Sequence, residues 1–383
     1  MTNTLNIEKL SQQAEALGHN QSSIAKALSV SRETVSQWFK QEKYPRPDKL
    51  LKLARLLDLS FSELVIKLTA PNEPVVAFRK KGAHKITPEY VEQAKDMGRI
   101  LEVLVPYLPF DDLALPATLR RPVNEYEYVH KAARRVREEI GVHEGDEIHF
   151  EKLIDFFSKL HAVLIPVLWA HKDKHENALH IYLPDSLTTW IYLNLDCKLH
   201  DFKFWMSHEL GHVLAPQLQG DEGEDFAEAF AGALLIPQEL AAREYEALHR
   251  LNIIGKQINR IKETADRLVV SPLTVYYEIN KYAEFKGTAK IDLDSDNEIH
   301  KATSNFNKSY KPVSEILFGT KEPSASRYIA CAKEAFNSPF FDILKKYLKA
   351  HRKSASFVQS TLNIPLLDAQ SVYGELCSAG CRR

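Results

Sequence analysis

His208 and His212 stand four residues apart in Ser207-His208-Glu209-Leu210-Gly211-His212, with a carboxylate between them. Residues i and i+4 share one face of a helix, so two imidazoles at this spacing can grip a single ion. Glu209, about 100° round the axis, can reach a water on that ion. Zinc lowers the pKa of such a water to roughly 7, and a nearby carboxylate can take its proton as it attacks a carbonyl. The expected chemistry is zinc-dependent hydrolysis with Glu209 as general base. With 15 His in 383 residues the pattern alone could arise by accident, so the surrounding elements decide its meaning.

Those elements are consistent with a buried metal site. The approach, Phe202-Lys203-Phe204-Trp205-Met206, is bulky and largely apolar, which predicts a helix covered on more than one side. Gly211 would cost up to about 1 kcal/mol relative to Ala in a solvated helix, so its presence suggests a close approach by another element. Pro216 stops the helix, the polar stretch Gln217 to Gly223 turns the chain, and a second helix runs from Glu224 to Ile236 before Pro237. Ala227, Phe230, Ala231 and Leu234 form its buried stripe, and Glu224 extends that stripe by one turn. A carboxylate there is costly to bury unless it meets a cation, which makes Glu224 a candidate third zinc ligand beside His208 and His212. The alternative is a solvent-facing acid favoured by the helix dipole. Glu228, one turn on, is the substitute ligand or an acceptor that orients one of the imidazoles.

His208-Glu209-Leu210-Gly211-His212, followed by Glu224 and by Phe230-Ala231-Gly232-Ala233-Leu234-Leu235-Ile236-Pro237, resembles the ImmA/IrrE family of metallopeptidases over roughly residues 120 to 285. Family members usually carry Asn or Asp four residues after the Glu, where this chain has Glu228. The resemblance implies zinc-dependent cleavage of a regulatory protein, often a DNA-bound repressor.

The segments 162–169, 178–183 and 189–195 are β-branched and aromatic runs separated by polar turns, and predict a small antiparallel sheet packed on the metal helices. An edge of such a sheet could receive an extended peptide by strand addition. Tyr126 to Ile140 reads as a basic amphipathic helix with a solvated charged face, and Phe150 to Leu160 as another helix.

The amino terminus carries a separate pattern. Ile7 to Leu17 is helical in period, Asn20 can cap Gln21 to Leu28, and Ser29-Val30-Ser31 leads tightly into Arg32 to Phe39. Ala25, Leu28, Val30 and Val35 would pack this pair. Ser31, Arg32, Glu33, Thr34, Ser36 and Gln37 would project from the second helix, and these side-chain types can bond base edges and phosphates in a major groove. Lys26, Arg32, Lys40, Lys43 and Arg46 add positive charge. Lys49 to Leu57 and Asp58 to Leu64 complete a bundle that resembles the XRE/Cro-type DNA-binding domain over roughly residues 5 to 68. Many such domains place Gly three residues after the Trp of the recognition helix, whereas Trp38 is followed by Phe39-Lys40-Gln41. The resemblance implies a double-stranded DNA operator as partner and, by analogy, a homodimer on two half-sites.

The remaining composition frames these two modules. Lys and Arg number 50 against 51 Asp and Glu, which excludes a broadly basic nucleic-acid coat. No apolar run reaches membrane-spanning length and Met1-Thr2-Asn3-Thr4 lacks the marks of a signal peptide, so a cytoplasmic protein with no membrane partner is expected. Cys197, Cys331, Cys377 and Cys381 are scattered, as in a reducing compartment, and the closeness of Cys377 to Cys381 reads as incidental.

The expected fold class is α+β, mainly α. A helix-turn-helix bundle (1–68) comes first, then a connector with a helix over Tyr90 to Tyr107 (69–121). A zincin-like domain follows (122–286), and then a helical C-terminal region of unknown role (287–383), in which Asp292 to Lys311 reads as a polar loop. The expected function is a DNA-binding regulator whose zinc endopeptidase removes a repressor or antitoxin-like protein. The alternative is a transcription factor whose zinc domain senses a ligand or partner without hydrolysis.

Overall fold

A computed structural model of the chain describes residues 3–40, 43–67, 73–77, 88–109, 118–169, 178–320 and 323–378. Cys381 lies outside these residues.

The head comprises β1 (Asn3–Leu5), α1 (Ile7–Ala16), α2 (Gln21–Ala27), α3 (Arg32–Phe39), α4 (Pro47–Leu56), α5 (Phe61–Leu64) and β2 (Val65–Lys67). α2 and α3 begin where side chains satisfy the exposed amides of their first turns. Asn20 accepts from Ser22 N and Ser23 N, with Ser23 closing a capping box, and Ser31 accepts from Thr34 N. Leu10, Ile24, Val35, Leu53 and Leu57 are buried at its centre. Asp58, with φ of 51°, ends α4, and within the closing segment Asp58 to Leu64 the next helix starts at Phe61. β1 and β2 pair antiparallel, with Thr4 opposite Ile66, and close the bundle.

The connector supplies β3 (Val75–Ala77), α6 (Pro88–Glu102) and a 3-10 turn at Val105–Tyr107. This turn packs against α4, while the Tyr107 hydroxyl lies 3.0 Å from His351 Nε2. The head is therefore docked on the rest of the molecule rather than held at a distance from it.

The central part comprises α7 (Tyr126–Glu139), α8 (Phe150–Lys159), β4 (Val163–Val167), β5 (Ala178–Leu183), β6 (Thr188–Asn194), α9 (Leu199–Leu214), α10 (Gly220–Leu235), α11 (Gln238–His249), α12 (Ile254–Leu268) and α13 (Pro272–Phe285). The sheet is mixed, not antiparallel, in the order β3-β5-β6-β4. β5 and β6 form a hairpin with His180 opposite Ile191, whereas β4 runs parallel to β6 with Ile165 opposite Tyr192. β6 returns from the hairpin to lie between β5 and β4. Both β4 and β6 are buried along their whole length, as parallel neighbours usually are. The expected strands left out β3, which adds antiparallel to β5.

The tail comprises α14 (Glu298–Asn307), α15 (Val313–Phe318), α16 (Ala325–Glu334), α17 (Phe340–Ala350), α18 (Ala355–Leu362) and α19 (Leu366–Ser378). α14 lies in the stretch expected to be a loop, held by its buried Ile299 and Thr303 at helical spacing. The tail covers the sheet: Ser338 Oγ donates to Leu164 O and Tyr328 OH to Pro166 O, capping the outer carbonyls of β4. Thr361 O and Leu362 O, which end α18 without helical partners, accept from Tyr192 OH at 2.7 Å and Trp169 Nε1 at 2.9 Å.

The charged face expected on α7 is only partly solvated. Arg134 pairs with Glu239 at the surface, but Arg137 is buried and donates to Leu234 O, His143 O and Asp146 O. These carbonyls replace the water its guanidinium loses, while burial lowers its pKa to about 10.

Candidate metal centre

α9 packs on β5 and β6 with one side and on α10 with the other, so every residue from Trp205 to Leu214 is buried. Lys203, in the approach that reads as apolar, is fully buried too, donating to Glu147 Oε1 at 2.8 Å and Leu268 O at 2.7 Å. Gly211 marks the closest approach of α10: a Cβ there would lie 2.8 Å from the Cα of Ala227. That contact brings the face of α10 carrying Glu224 level with the two imidazoles. α10 starts at Gly220, four residues earlier than the sequence pattern suggests, because Gly220 makes the turn with φ of 59°. Asp221 and Glu222 take the first turn, and Glu224 stands further along the stripe.

Three donor groups converge. His208 Nε2 and His212 Nε2 are 3.2 Å apart, Glu224 Oε2 is 3.4 Å from His208 Nε2, and Glu224 Oε1 is 3.4 Å from His212 Nε2. A tetrahedral zinc ion with bonds of about 2.0–2.1 Å holds its donors about 3.3–3.4 Å apart, so this triangle has the right size. Among the described residues these three form the one group of His, Cys, Asp and Glu ligand atoms found close enough to share an ion. Burial alone would push the His208 imidazole down, but Glu224 and Glu228 raise it to about 9. Burial would likewise raise Glu224, but the two imidazoles hold it at about 2. His212 is pushed down by burial, and the charge on His208 adds to this.

Glu228 Oε2 lies 3.6 Å from His208 Nδ1, the nitrogen facing away from the triangle. It stands behind the imidazole, and Glu224 stands between the two. Glu209 is 2% exposed and follows His208 on α9, on the side the helical turn dictates.

One neighbour is not singled out by spacing in the sequence. His180, on β5, is buried and its ring faces that of His212 with centroids 5.5 Å apart. Among the described residues its Nε2 has no hydrogen-bond partner, and burial followed by the His212 charge lowers its pKa to about 3. The signal available was a lone polar residue in the apolar run Ala178-Leu179-His180-Ile181. Two other ring-bearing residues near it in sequence are engaged elsewhere: Tyr192 OH bonds Thr361 O, and His200 stacks on Tyr310 at 4.7 Å.

In the head, α3 exposes Ser31, Arg32 and Glu33 and half-exposes Thr34, Ser36 and Gln37, while Val35 and Trp38 anchor it inward. The Ser31 and Thr34 hydroxyls are 2.9 Å apart and occupy one another, so Arg32, Glu33, Ser36 and Gln37 present the freer polar groups. Lys26, Lys40, Lys43 and Arg46 are exposed around them. Lys40 caps α3 with φ of −86°, and Gln41, which stands where the WxxG phrase has its glycine, lies outside the described residues.

Residues 10–64 match the helix-turn-helix family, and residues 164–280 match the family described as the IrrE N-terminal-like domain. No curated protein sequence matches the chain. Among the described residues no helix is long and apolar enough to cross a membrane. The chain thus carries an XRE-type helix-turn-helix segment, an ImmA/IrrE-like peptidase segment and a helical tail, which together support a DNA-binding regulator with a protease-like domain.

Proposed function

We propose that this protein binds an operator as a homodimer through its head and cuts a regulatory protein, such as a repressor or antitoxin-like partner, with a zinc endopeptidase centre. The supporting observation is the triangle of His208, His212 and Glu224 with edges of 3.2 to 3.4 Å, beside the carboxylate of Glu209. Zinc held there would supply Lewis acidity to water and to the scissile carbonyl. Glu209 takes a proton as the water oxygen bonds to the carbonyl carbon. It returns that proton to the amide nitrogen as the C–N bond breaks. Glu228 holds His208 in orientation through Nδ1. His180, kept neutral by burial, faces the centre from β5 and is suited to bonding the substrate beside the carbonyl under attack. Arg32, Glu33, Ser36 and Gln37 read base edges, and Lys26, Lys40, Lys43 and Arg46 hold phosphates. The reading divides the chain into head (1–68), connector (69–121), peptidase (122–286) and tail (287–383).

A Glu209→Gln chain tests this. It retains stoichiometric zinc, loses cleavage of the partner protein and changes regulation of the target promoter in cells. Unchanged regulation would assign the zinc domain to sensing a ligand or partner without hydrolysis.

A further inference from the structure

The sheet has two outer edges, and they are closed in different ways. On β4 the outward carbonyls are capped by the side chains of Ser338 and Tyr328, a fixed cover built from the tail. On β5 the cover is a strand: β3 pairs antiparallel to it, with Val75 opposite Tyr182, Val76 opposite Ile181 and Ala77 opposite His180. β3 also packs against α10, the helix that carries Glu224. The backbone at Ala77 therefore lies opposite the residue whose ring faces His212.

This is the place an extended substrate would take. Strand addition gives a peptide main-chain bonds along a sheet edge, and those bonds are indifferent to most side chains. A peptide paired with β5 at the His180 position would run past the His208, His212 and Glu224 triangle. The described part of β3 spans three residues, and its Val75 and Val76 are only half-buried, so little side-chain burial there opposes exchange. Its N-terminal side is anchored by Pro74, which fills the space a Cβ on Gly98 of α6 would occupy, at 2.5 Å. Glu73 pairs with Lys95 on the same helix.

We propose that the outer edge of β5 is the substrate-docking edge and that β3 is its resident occupant. The substrate is then an extended apolar peptide with short or β-branched side chains, in the image of Val75-Val76-Ala77, and it displaces β3 before it is cut. This rests on the peptidase reading above. Because β3 belongs to the connector, displacement alters the segment that joins the head to the catalytic domain, so substrate capture and operator binding are coupled.

The test is amide hydrogen exchange on the full zinc-loaded chain, titrated with the capped peptide Glu-Pro-Val-Val-Ala. Protection at residues 75–77 is expected to fall at least tenfold as the peptide binds, while amides of the β5–β6 pair stay protected. Binding that leaves 75–77 protected, or no binding at millimolar peptide, overturns the proposal. In a Glu209→Gln background, a Val75→Gly, Val76→Gly chain is expected to bind the labelled peptide at least tenfold tighter by fluorescence anisotropy, and equal affinity overturns it. A cut within residues 73–80 of the zinc-loaded wild-type chain, seen by mass spectrometry, would make β3 a substrate rather than a resident and also overturns it. Comparing hydrolysis of the peptide by the Val75→Gly, Val76→Gly chain with and without Glu209→Gln reads the peptidase assignment separately. Displacement without Glu209-dependent hydrolysis would sink that assignment and leave the docking edge standing.

Discussion

Glu224 and Glu228 lie one helical turn apart, yet they meet opposite nitrogens of the same imidazole. This makes their substitutions separable. Glu224→Ala removes one of three donors and is expected to abolish stoichiometric zinc in metal analysis of the purified chain. Glu228→Gln keeps the triangle and is expected to weaken zinc by about 10- to 100-fold in a chelator competition, the range usual for a partner that orients a ligating histidine. Loss of general-base action in Glu209→Gln is expected to slow cleavage by about 10²- to 10⁴-fold or more at unchanged zinc content, read as single-turnover rates. That His208 and His212 share one face, with Glu209 beside them, was legible because helical period alone places them so. The choice between Glu224 and Glu228 was not, because it depends on the rotation of α10 about its axis. His180 was hidden for a further reason: only tertiary packing brings this strand residue against His212, 32 positions downstream.

At the level of elements, the centre exists because α9 and α10 touch backbone to backbone. Gly211→Ala would place a methyl 2.8 Å from the Cα of Ala227, where no flexible side chain can yield. The helices must separate, so a loss of about 1–3 kcal/mol is expected in urea unfolding, with weakened zinc retention alongside. α7 contributes differently. His130 is buried against Tyr126, and burial followed by Lys281 and Arg134 lowers its pKa from 6.5 to about 4. The unfolded chain takes up this proton as pH falls through 6.5, while the folded chain resists until about 4. Stability is therefore full above pH 6.5 and declines below it, with His130 alone costing up to about 3 kcal/mol by pH 4. Urea midpoints at pH 7 and pH 4.5 should differ less in a His130→Gln chain than in wild type. Most helices were legible from their apolar spacing and caps. β3 was not: a Val-Val-Ala run after a proline is shorter than any window in which strand alternation can be recognised. α14 escaped for the opposite reason, since just two of its ten residues are buried and its sequence is otherwise polar.

Across the whole molecule, the order of modules was legible and their packing was not, because surfaces that dock carry no period along the chain. The head rests on the turn at Val105–Tyr107, and Tyr107 in turn meets Tyr347 and His351 of the tail. Arg32→Ala is expected to weaken operator binding at least tenfold in a mobility-shift assay at fixed salt while leaving zinc content unchanged, since α3 lies in a separate bundle. The tail's attachment has a further consequence. Trp169 and Tyr192 find their acceptors in the last carbonyls of α18, and the outer carbonyls of β4 find their donors in Ser338 and Tyr328. A shortened chain ending at residue 286 would leave an indole, a phenol and a strand margin bare, and is expected to precipitate on expression. Supplying residues 287–383 as a separate polypeptide in the same cells should restore solubility by fragment complementation, which would make the last hundred residues an in-built folding partner for the catalytic sheet.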